Sequence, residues 1–324
     1  VIHMKYARWR SGGNRRETYG EIVDRNEIMH QSRINHSDSL QKLVKLSYDL
    51  VEKREVLPSM RSLQFAGLPI VRNNARMYNC AYMPMENILC FSELMFLLLG
   101  GSGVGYSVQN RHVKQLPKIN LDKTRTLVRQ FTIPDTIEGW ADAVELLINY
   151  PWVEFDYGLI RPKGTPLKVT GGKAPGPEPL RICLEKIRSI LNESDGRQLK
   201  PIEVHDINCH IADAVLVGGI RRAAMLALFD YDDEEMLICK SGTWYETNGQ
   251  RGRANNSVIL LRESTMKEDF DNVWAKVKAS GAGEPGIFWT NNLDWGTNPC
   301  AEVSLRPYQF CNLVEINGNA TRNN

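Results

Sequence analysis

The segment that most constrains this chain runs from Gly296 to Glu302 and carries a proline directly before a cysteine. Pro299 has no backbone N–H to donate, and a glycine lies just upstream, so the segment is unsuited to a helix interior. The sequence therefore predicts an ordered loop, in which Cys300 lies between the amide of Asn298 and the carboxylate of Glu302.

The same loop places a thiol beside groups that suit catalysis on a polar substrate. Asn298 and Glu302 are able to hydrogen-bond a substrate that Cys300 attacks, and the carboxylate is also able to move a proton. A second thiol, Cys311, follows eleven residues after the first. Two interpretations stay open from these residues alone. One is a redox site, and the other is a buried structural cysteine, because cysteine is commonly buried.

Bulk composition excludes several classes of protein. A chain of 324 residues with 42% hydrophobic and 24% charged residues has the composition of a globular protein with one or two domains. Its net charge of +2 gives no electrostatic argument for nucleic-acid binding. The longest apolar run, near residues 94–99, is too short to cross a membrane, so we expect no membrane partner.

The number and spacing of the cysteines indicate functional free thiols in a reducing compartment. The seven cysteines are irregularly spaced and form no Cys-x-x-Cys pair, which argues against a secreted disulfide framework and a zinc module. The first residues lack the layout of a signal peptide, so the sequence predicts a cytoplasmic protein. His205 and Cys209 are four residues apart and share a helix face, but no further cluster completes a tetrahedral set, so no metal site is predicted.

Hydrophobic periodicity predicts alternating helices and strands. An amphipathic helix is expected over Ser37–Arg54, and an apolar helix over Cys90–Leu99 ends in a glycine cluster. Further helices are expected from about residue 135, over 181–191 and over 266–278, and strands over 76–83, 153–157, 258–261 and from about 286.

The run from Asn298 to Leu313, NPCAEVSLRPYQFCNL, resembles the finger-loop segment of ribonucleotide reductases, most closely in their adenosylcobalamin-dependent (class II) branch. The similarity extends from about Leu57 to Asn317. It implies an α/β fold, a ten-stranded α/β barrel with a central finger loop near residues 296–311. The barrel domain would occupy residues 57–324, preceded by a short helical N-terminal region over residues 1–56.

The resemblance also implies roles for the loop residues. Cys300 would hold a transient thiyl radical, and Asn298 and Glu302 would bind the ribose hydroxyls. In reductases a second redox cysteine follows an Asn or Ser in the segment that matches residues 76–83. Cys80 is therefore the expected partner of Cys311 in the thiol pair that reduces the ribose. Without the resemblance, Cys80 is equally a core cysteine.

Substrate contacts are implied at five positions outside the thiols. Ser62 matches the Ser/Thr of a reductase segment that contacts substrate, and Asn79 directly precedes Cys80. Gly103 belongs to a small-Gly-x-Gly turn at the substrate, while Pro299 and Ala301 flank the radical cysteine. Read from the residues alone, these segments are also compatible with a surface loop and a helix C-cap.

A basic glycine loop resembles the mobile loop through which a nucleotide effector sets substrate choice in reductases. Its residues are Gly218, Gly219, Arg221 and Arg222. The two arginines are suited to phosphate or base contacts, and a basic solvated turn is the alternative interpretation.

The resemblance implies reduction of ribonucleoside di- or triphosphates to 2′-deoxyribonucleotides for DNA synthesis. Adenosylcobalamin would be the cofactor, with a thioredoxin-like reductant and a nucleotide effector as partners. Family members continue through a second half of the barrel, so a complementary C-terminal fragment is an expected partner. The alternatives are a metal-initiated (class I) catalytic subunit and a non-catalytic nucleotide-binding fragment of a split reductase.

Overall fold

The structure, a computed structural model, describes residues 2–10, 15–34, 36–121, 130–166, 173–217 and 224–320. The predicted effector loop, with Gly218, Gly219, Arg221 and Arg222, lies outside the described residues. Two compact units are present. The first comprises Val1–Asn79 and Phe310–Asn324, and the second comprises Cys80–Gln309. The boundary at residue 57, between the helical N-terminal region and the barrel domain, stays a prediction.

Helices and strands alternate along most of the chain. The α-helices are α1 Ile2–Lys5, α2 Tyr19–Gln31, α3 Asp38–Glu52, α4 Met60–Phe65, α5 Leu68–Arg72, α6 Leu89–Gly100, α7 Asn110–Val113, α8 Ile137–Asn149, α9 Glu178–Glu193, α10 Pro201–Val217, α11 Glu234–Ile238, α12 Trp244–Thr247 and α13 Lys267–Ser280. The strands are β1 Val56–Leu57, β2 Cys80–Pro84, β3 Gly103–Ser107, β4 Gln130–Thr132, β5 Glu154–Asp156, β6 Met225–Asp230, β7 Ala254–Leu261, β8 Gly286–Thr290, β9 Gly296–Thr297, β10 Ser304–Leu305, β11 Phe310–Cys311 and β12 Glu315–Ile316. Short 3₁₀ turns cover Asn74–Met77 and Gly249–Arg253.

The first unit is mainly helical, and its longest helix confirms the sequence pattern. The hydroxyl of Ser37 accepts the backbone N–H of Leu40 at 3.4 Å and so caps α3. The buried face of α3, with Tyr48 and Val51, packs against Val23 of α2. In the same unit β1 pairs antiparallel with β12.

The second unit is built on a parallel sheet in which β2, β3, β6, β7 and β8 are neighbours in that order. Parallel neighbours need crossover connections, which here contain helices: α6 between β2 and β3, and α13 between β7 and β8. The α/β class is therefore confirmed, while the ten-stranded barrel stays a prediction. Described residues of the Pro/Gly-rich stretch, 160–166 and 173–177, lie within this unit.

The two faces of the sheet differ because side chains alternate along a strand. On β3, Tyr106 lies on the face that contacts α10, whereas Gly103, Gly105 and Ser107 lie on the opposite face. The register pairs Cys80 with Gly103 and Tyr82 with Gly105, which puts Cys80 and Tyr82 on the glycine-bearing face.

The helical side of the sheet holds a buried histidine. The Tyr106 hydroxyl and His205 Nδ1 are 2.7 Å apart, and Cys209 Sγ lies 3.7 Å from His205 Nε2. His205 and Cys209 therefore share a face of α10, as the spacing predicted. Among the described residues no group of three or more His, Cys, Asp or Glu side chains is arranged to hold a metal ion. Burial lowers the pKa of His205 to about 3.

This buried histidine makes a testable contribution to pH-dependent stability. His205 stays neutral in the folded protein but takes up a proton in the unfolded chain below its usual pKa of 6.5, so stability is lost as pH falls from 6.5 toward 3. The unfolding free energy of the parent should fall between about pH 7 and pH 5.5. In His205→Gln this fall should be smaller by about 1 kcal/mol. Denaturant titrations at both pH values measure this. His36→Gln, at an exposed site, is the control, and an equal fall in parent and His205→Gln would contradict the prediction.

None of the helices that the structure describes is both long enough and apolar enough to span a membrane.

Candidate active site

The predicted loop is the tip of a short antiparallel hairpin. Strands β9 and β10 pair Thr297 with Ser304 and Gly296 with Leu305, so residues 298–303 form the connection. Within it, the backbone N–H of Ala301 donates to the Asn298 carbonyl at 3.0 Å. Ala301 has a φ of 63°, a left-handed conformation that is uncommon for a residue with a Cβ. The ordered loop inferred from Pro299 is thus confirmed.

The Asn298 side chain holds this loop together from inside. It is fully buried, and its Nδ2 donates to Glu302 Oε1 at 2.8 Å. Its Oδ1 accepts from the backbone N–H of Val303 at 3.2 Å and from the Thr297 hydroxyl at 3.3 Å. The amide therefore fixes the position of the Glu302 carboxylate, which is itself exposed.

Asn298→Ala tests this internal bracing. The substitution leaves the partly buried Val303 N–H without its side-chain acceptor, and a donor left unsatisfied costs about 1–3 kcal/mol where water does not reach it. We expect amide hydrogen exchange in residues 297–303 to accelerate by about tenfold or more, since 1.4 kcal/mol corresponds to a factor of ten in an opening equilibrium. Asn291→Ala, at an exposed site nearby, is the matched control. Unchanged exchange in Asn298→Ala would show that the amide does not brace the loop.

The hairpin lies directly against the glycine-bearing face of the sheet. A Cβ on Gly105 would overlap the Thr297 carbonyl oxygen, and a Cβ on Gly296 would overlap the Tyr82 ring. Neither position has room for a Cβ atom. Glycine is therefore required at both positions for the hairpin to pack this closely against the sheet. Two glycines, one on β3 and one on β9, set the depth at which the loop packs.

The loop tip lies at the edge of the sheet where the strands begin. A Cβ built on Gly103 would lie 3.0 Å from Pro299 Cγ. Gly103 is the first residue of β3 and pairs with Cys80, the first residue of β2. Pro299 directly precedes Cys300 in the chain, so Cys80 and Cys300 belong to the same edge of the sheet. Of the predicted site residues, the structure therefore brings Pro299 close to Gly103, which is the strand partner of Cys80.

The exposure of the site residues suits chemistry on a bound molecule. Cys300, Ala301 and Glu302 are exposed, whereas Cys80 is half-buried. A thiol and a carboxylate on an exposed loop tip, above a strand edge with a second thiol, form an arrangement that can transfer hydrogen and protons to one ligand.

Cys311 belongs to the first unit and is buried. Its carbonyl accepts the backbone N–H of Asn79 at 3.1 Å, and Asn79 directly precedes Cys80 in the sequence. The side-chain oxygen of Asn79 accepts from the Ser59 hydroxyl at 2.9 Å and from the Leu313 N–H at 3.5 Å. The pairing of Cys80 with Cys311 stays a prediction.

Two serines of α4 and its cap have different partners. The predicted substrate residue Ser62 is buried, and its hydroxyl donates to Asn26 Oδ1 at 3.0 Å. Ser59, the N-cap of α4, is the serine whose hydroxyl contacts Asn79. The sequence analysis did not single out Ser59. Its position directly before the helical run of α4 is the signal that could have found it, because serine is a preferred N-cap residue.

An arginine that sequence reasoning missed holds the start of the hairpin. The Arg111 guanidinium, on α7, forms an ion pair with Asp294 at 2.7 Å and also donates to the Leu293 carbonyl. Leu293 and Asp294 lie just before β9, and Arg111 follows the carboxyl end of β3. These contacts therefore hold the start of the hairpin at the carboxyl end of β3, and the hairpin runs from there to its tip at the opposite end of the strand.

A buried polar network supports the ring on which Gly296 packs. Ser107 Oγ contacts His112 Nδ1 at 2.9 Å and donates to Gln109 Oε1 at 3.2 Å. Burial raises the pKa of Tyr82 to about 12, and burial lowers the pKa of His112 to about 4. Tyr82 therefore stays a neutral phenol and His112 a neutral imidazole near pH 7.

Sequence and structure comparisons agree on what this architecture resembles. An adenosylcobalamin-dependent ribonucleoside-triphosphate reductase of Euglena gracilis is 31% identical over 97% of this chain and 48% of its own length. The corresponding enzyme of Lactobacillus leichmannii is 27% identical over 96% of this chain and 53% of its own.

The chain is related to adenosylcobalamin-dependent ribonucleotide reductases over nearly all of its length. The crystal structure of a B12-dependent (class II) ribonucleotide reductase superposes with a TM-score of 0.80 at 24% identity, covering 97% of this chain and 54% of the other. That likeness supports the α/β fold. No protein-family model matches the sequence. The chain spans about half the length of the reductases that it matches.

Proposed function

We propose that the protein reduces ribonucleotides to 2′-deoxyribonucleotides for DNA synthesis by thiyl-radical chemistry. The observation that carries the proposal is the exposed Cys300 at the tip of a loop fixed over the sheet edge that begins with Cys80 and Gly103. The relatives are named as ribonucleoside-triphosphate reductases, which favours a triphosphate substrate.

The radical would reside on Cys300. Adenosylcobalamin, when bound, supplies the one-electron oxidation of the Cys300 thiol. The exposure of Cys300 fits access by a large cofactor. The Cys300 sulfur then takes the hydrogen atom from C3′ of the ribose and returns a hydrogen atom to the same carbon at the end of the reaction.

Proton movement would fall to Glu302. Its carboxylate accepts the proton of the 3′-hydroxyl, and the 2′-hydroxyl leaves as water. Asn298 keeps the carboxylate in place through the 2.8 Å hydrogen bond, so the acceptor oxygen does not have to be reoriented during the reaction. Backbone atoms of Pro299 and Ala301, together with the buried Gly103 against which Pro299 packs, would complete the proposed sugar site.

Cys80 and Cys311 would supply the reducing equivalents. Together they lose two electrons and two protons, and the product is a disulfide, so one ribose is reduced for each disulfide formed and one water is released. The hydrogen bond between the Asn79 N–H and the Cys311 carbonyl supports this pairing, because Asn79 is the residue before Cys80. A thioredoxin-like reductant would restore the thiols.

Activity with adenosylcobalamin in the absence of a second subunit tests the proposal. We expect deoxyribonucleotide from a ribonucleoside triphosphate, adenosylcobalamin and a dithiol reductant, and none when the cobalamin is omitted. Activity that instead requires an iron- or manganese-containing partner protein would favour the class I alternative. The same assay with diphosphates settles the substrate class.

The remaining expectations belong to the same proposal. They are the ten-stranded barrel, the substrate contacts of Ser62 and Asn79, the effector loop at Gly218, Gly219, Arg221 and Arg222, a complementary C-terminal fragment, and a cytoplasmic location without nucleic-acid or membrane partners. Ser59 joins them as a further candidate near Asn79.

A further inference from the structure

The interior strand β7 carries an asparagine on the face of the sheet against which the hairpin packs. The register places Asn255 beside Leu226 of β6, and Leu226 beside Gly105 of β3. Residues that lie side by side in neighbouring strands present their side chains on the same face, so Asn255 shares the face of Gly105. Two spacings between strands separate the backbones of Asn255 and Gly105 by about 10 Å.

This face of β7 is open where the strand begins. Along it, Asn255 is exposed, Ser257 is half-buried and Ile259 is buried. Parallel strands begin at the same edge of a sheet, and Gly103, the residue against which Pro299 packs, begins β3. The opening at Asn255 therefore lies at the edge that also carries the tip of the hairpin.

The Asn255 amide is available to a ligand at this opening. Among the described residues its side chain has no hydrogen-bond partner. The next residue, Asn256, is by contrast buried on the opposite face of the sheet, and its Nδ2 donates to the Cys239 sulfur at 3.0 Å. The exposed amide of Asn255 therefore keeps one acceptor oxygen and two N–H donors for a bound molecule.

Three cations near the start of β7 each form an ion pair with a carboxylate. The pairs are Lys240 with Glu284, Arg251 with Asp206, and Arg253 with Asp213. A phosphate group is bound best by cations that are free to pair with it, so these paired side chains favour a neutral ligand group. A nucleobase presents neutral donors and acceptors that one amide is able to match.

We propose that Asn255 contacts the base of the bound ribonucleotide and thereby contributes to substrate choice. The inference rests on the proposed function, because it takes the tip of the hairpin as the site of the ribose. A nucleoside with its sugar at the tip extends from β3 across β6, and its base then lies over the start of β7. The amide is able to turn either its oxygen or its nitrogen toward the base, so the parent residue accommodates cytosine and uracil alike.

Binding of CTP and UTP to the 324-residue chain tests this contact without requiring turnover. The two bases have the same shape but exchange a donor for an acceptor at N3 and at the group on C4. Asn255→Asp replaces the amide by a carboxylate that only accepts, so the variant favours whichever base presents a donor. The ratio of the CTP and UTP dissociation constants should therefore change by about fivefold or more relative to the parent. Equilibrium dialysis measures both constants.

Two further variants separate the base contact from other effects. Asn255→Ala removes both polar atoms, so CTP and UTP should each bind about fivefold more weakly, as expected for loss of one hydrogen bond. Asn291→Asp places the same negative charge at an exposed site directly after β8, at the opposite edge of the sheet, and should leave the ratio unchanged.

The outcomes distinguish this inference from the proposed function. A changed ratio in Asn255→Asp, with weaker binding of both nucleotides to Asn255→Ala, supports the base contact. An unchanged ratio with equally weakened binding of both nucleotides to Asn255→Asp would assign the residue to the phosphates and overturn the base contact. Parent affinities in Asn255→Ala overturn it as well, and the proposed function then stands without it. A parent chain that binds neither nucleotide overturns the proposed function, and the base contact falls with it.

Discussion

Gly105→Ala is expected to displace the hairpin and to lower the rate of the proposed reaction by about 100-fold or more, the loss that a displacement of about 1 Å at a reacting group can cause. The added Cβ would overlap the Thr297 carbonyl oxygen, so the backbone of the hairpin has to move rather than a flexible side chain. Overpacking of this kind also costs about 1–3 kcal/mol of stability. Steady-state assays and denaturant unfolding measure the two effects.

Gly249→Ala is the matched control for that substitution. Gly249 lies in the same unit, has open space around it and does not need a left-handed conformation, so its alanine variant should retain activity and stability. A fully active Gly105→Ala protein would show that the depth of the hairpin against β3 does not matter for the reaction. Loss of stability without loss of turnover would mean that the contact serves folding alone.

Cys300→Ser is expected to abolish turnover while nucleotide affinity stays within about twofold of the parent value, which is the pattern of an interaction used only in the chemical step. A serine hydroxyl fills nearly the same space on the exposed loop tip but lacks the weak S–H bond from which a radical forms. Deoxyribonucleotide formation and equilibrium binding of the ribonucleotide are the two measurements.

Ser304→Ala serves as the control on the same hairpin, since Ser304 is exposed on β10 and its removal leaves the loop tip intact. Residual turnover in Cys300→Ser above that of a cobalamin-free reaction would contradict the assignment of the radical site. Loss of nucleotide binding together with turnover would instead assign Cys300 to substrate recognition.

Local sequence patterns were sufficient to predict much of the fold. Pro299 and its neighbouring glycine predicted the loop, and Ser37 before an amphipathic run predicted α3, because both signals act through the backbone within one turn of the chain. The alternating helices and strands likewise predicted the α/β class.

Contacts between distant residues could not be predicted in this way. Arg111 and Asp294 are 183 residues apart, and the local sequence around either residue does not indicate its partner. The Gly105 contact depends on how closely β9 approaches β3, which is a property of the assembled sheet. In the α4 segment the motif did not decide which serine contacts Asn79, because Ser59 and Ser62 are three residues apart and helix periodicity alone does not separate them.

A single-turnover experiment tests the central claim most directly. The reduced protein is mixed with a ribonucleoside triphosphate and adenosylcobalamin without external reductant, and product and thiols are quantified together. The account predicts deoxyribonucleotide and the Cys80–Cys311 disulfide in equal amounts, with Cys300 still a thiol. Absence of deoxyribonucleotide, or deoxyribonucleotide formed while Cys80 and Cys311 stay reduced, would contradict it.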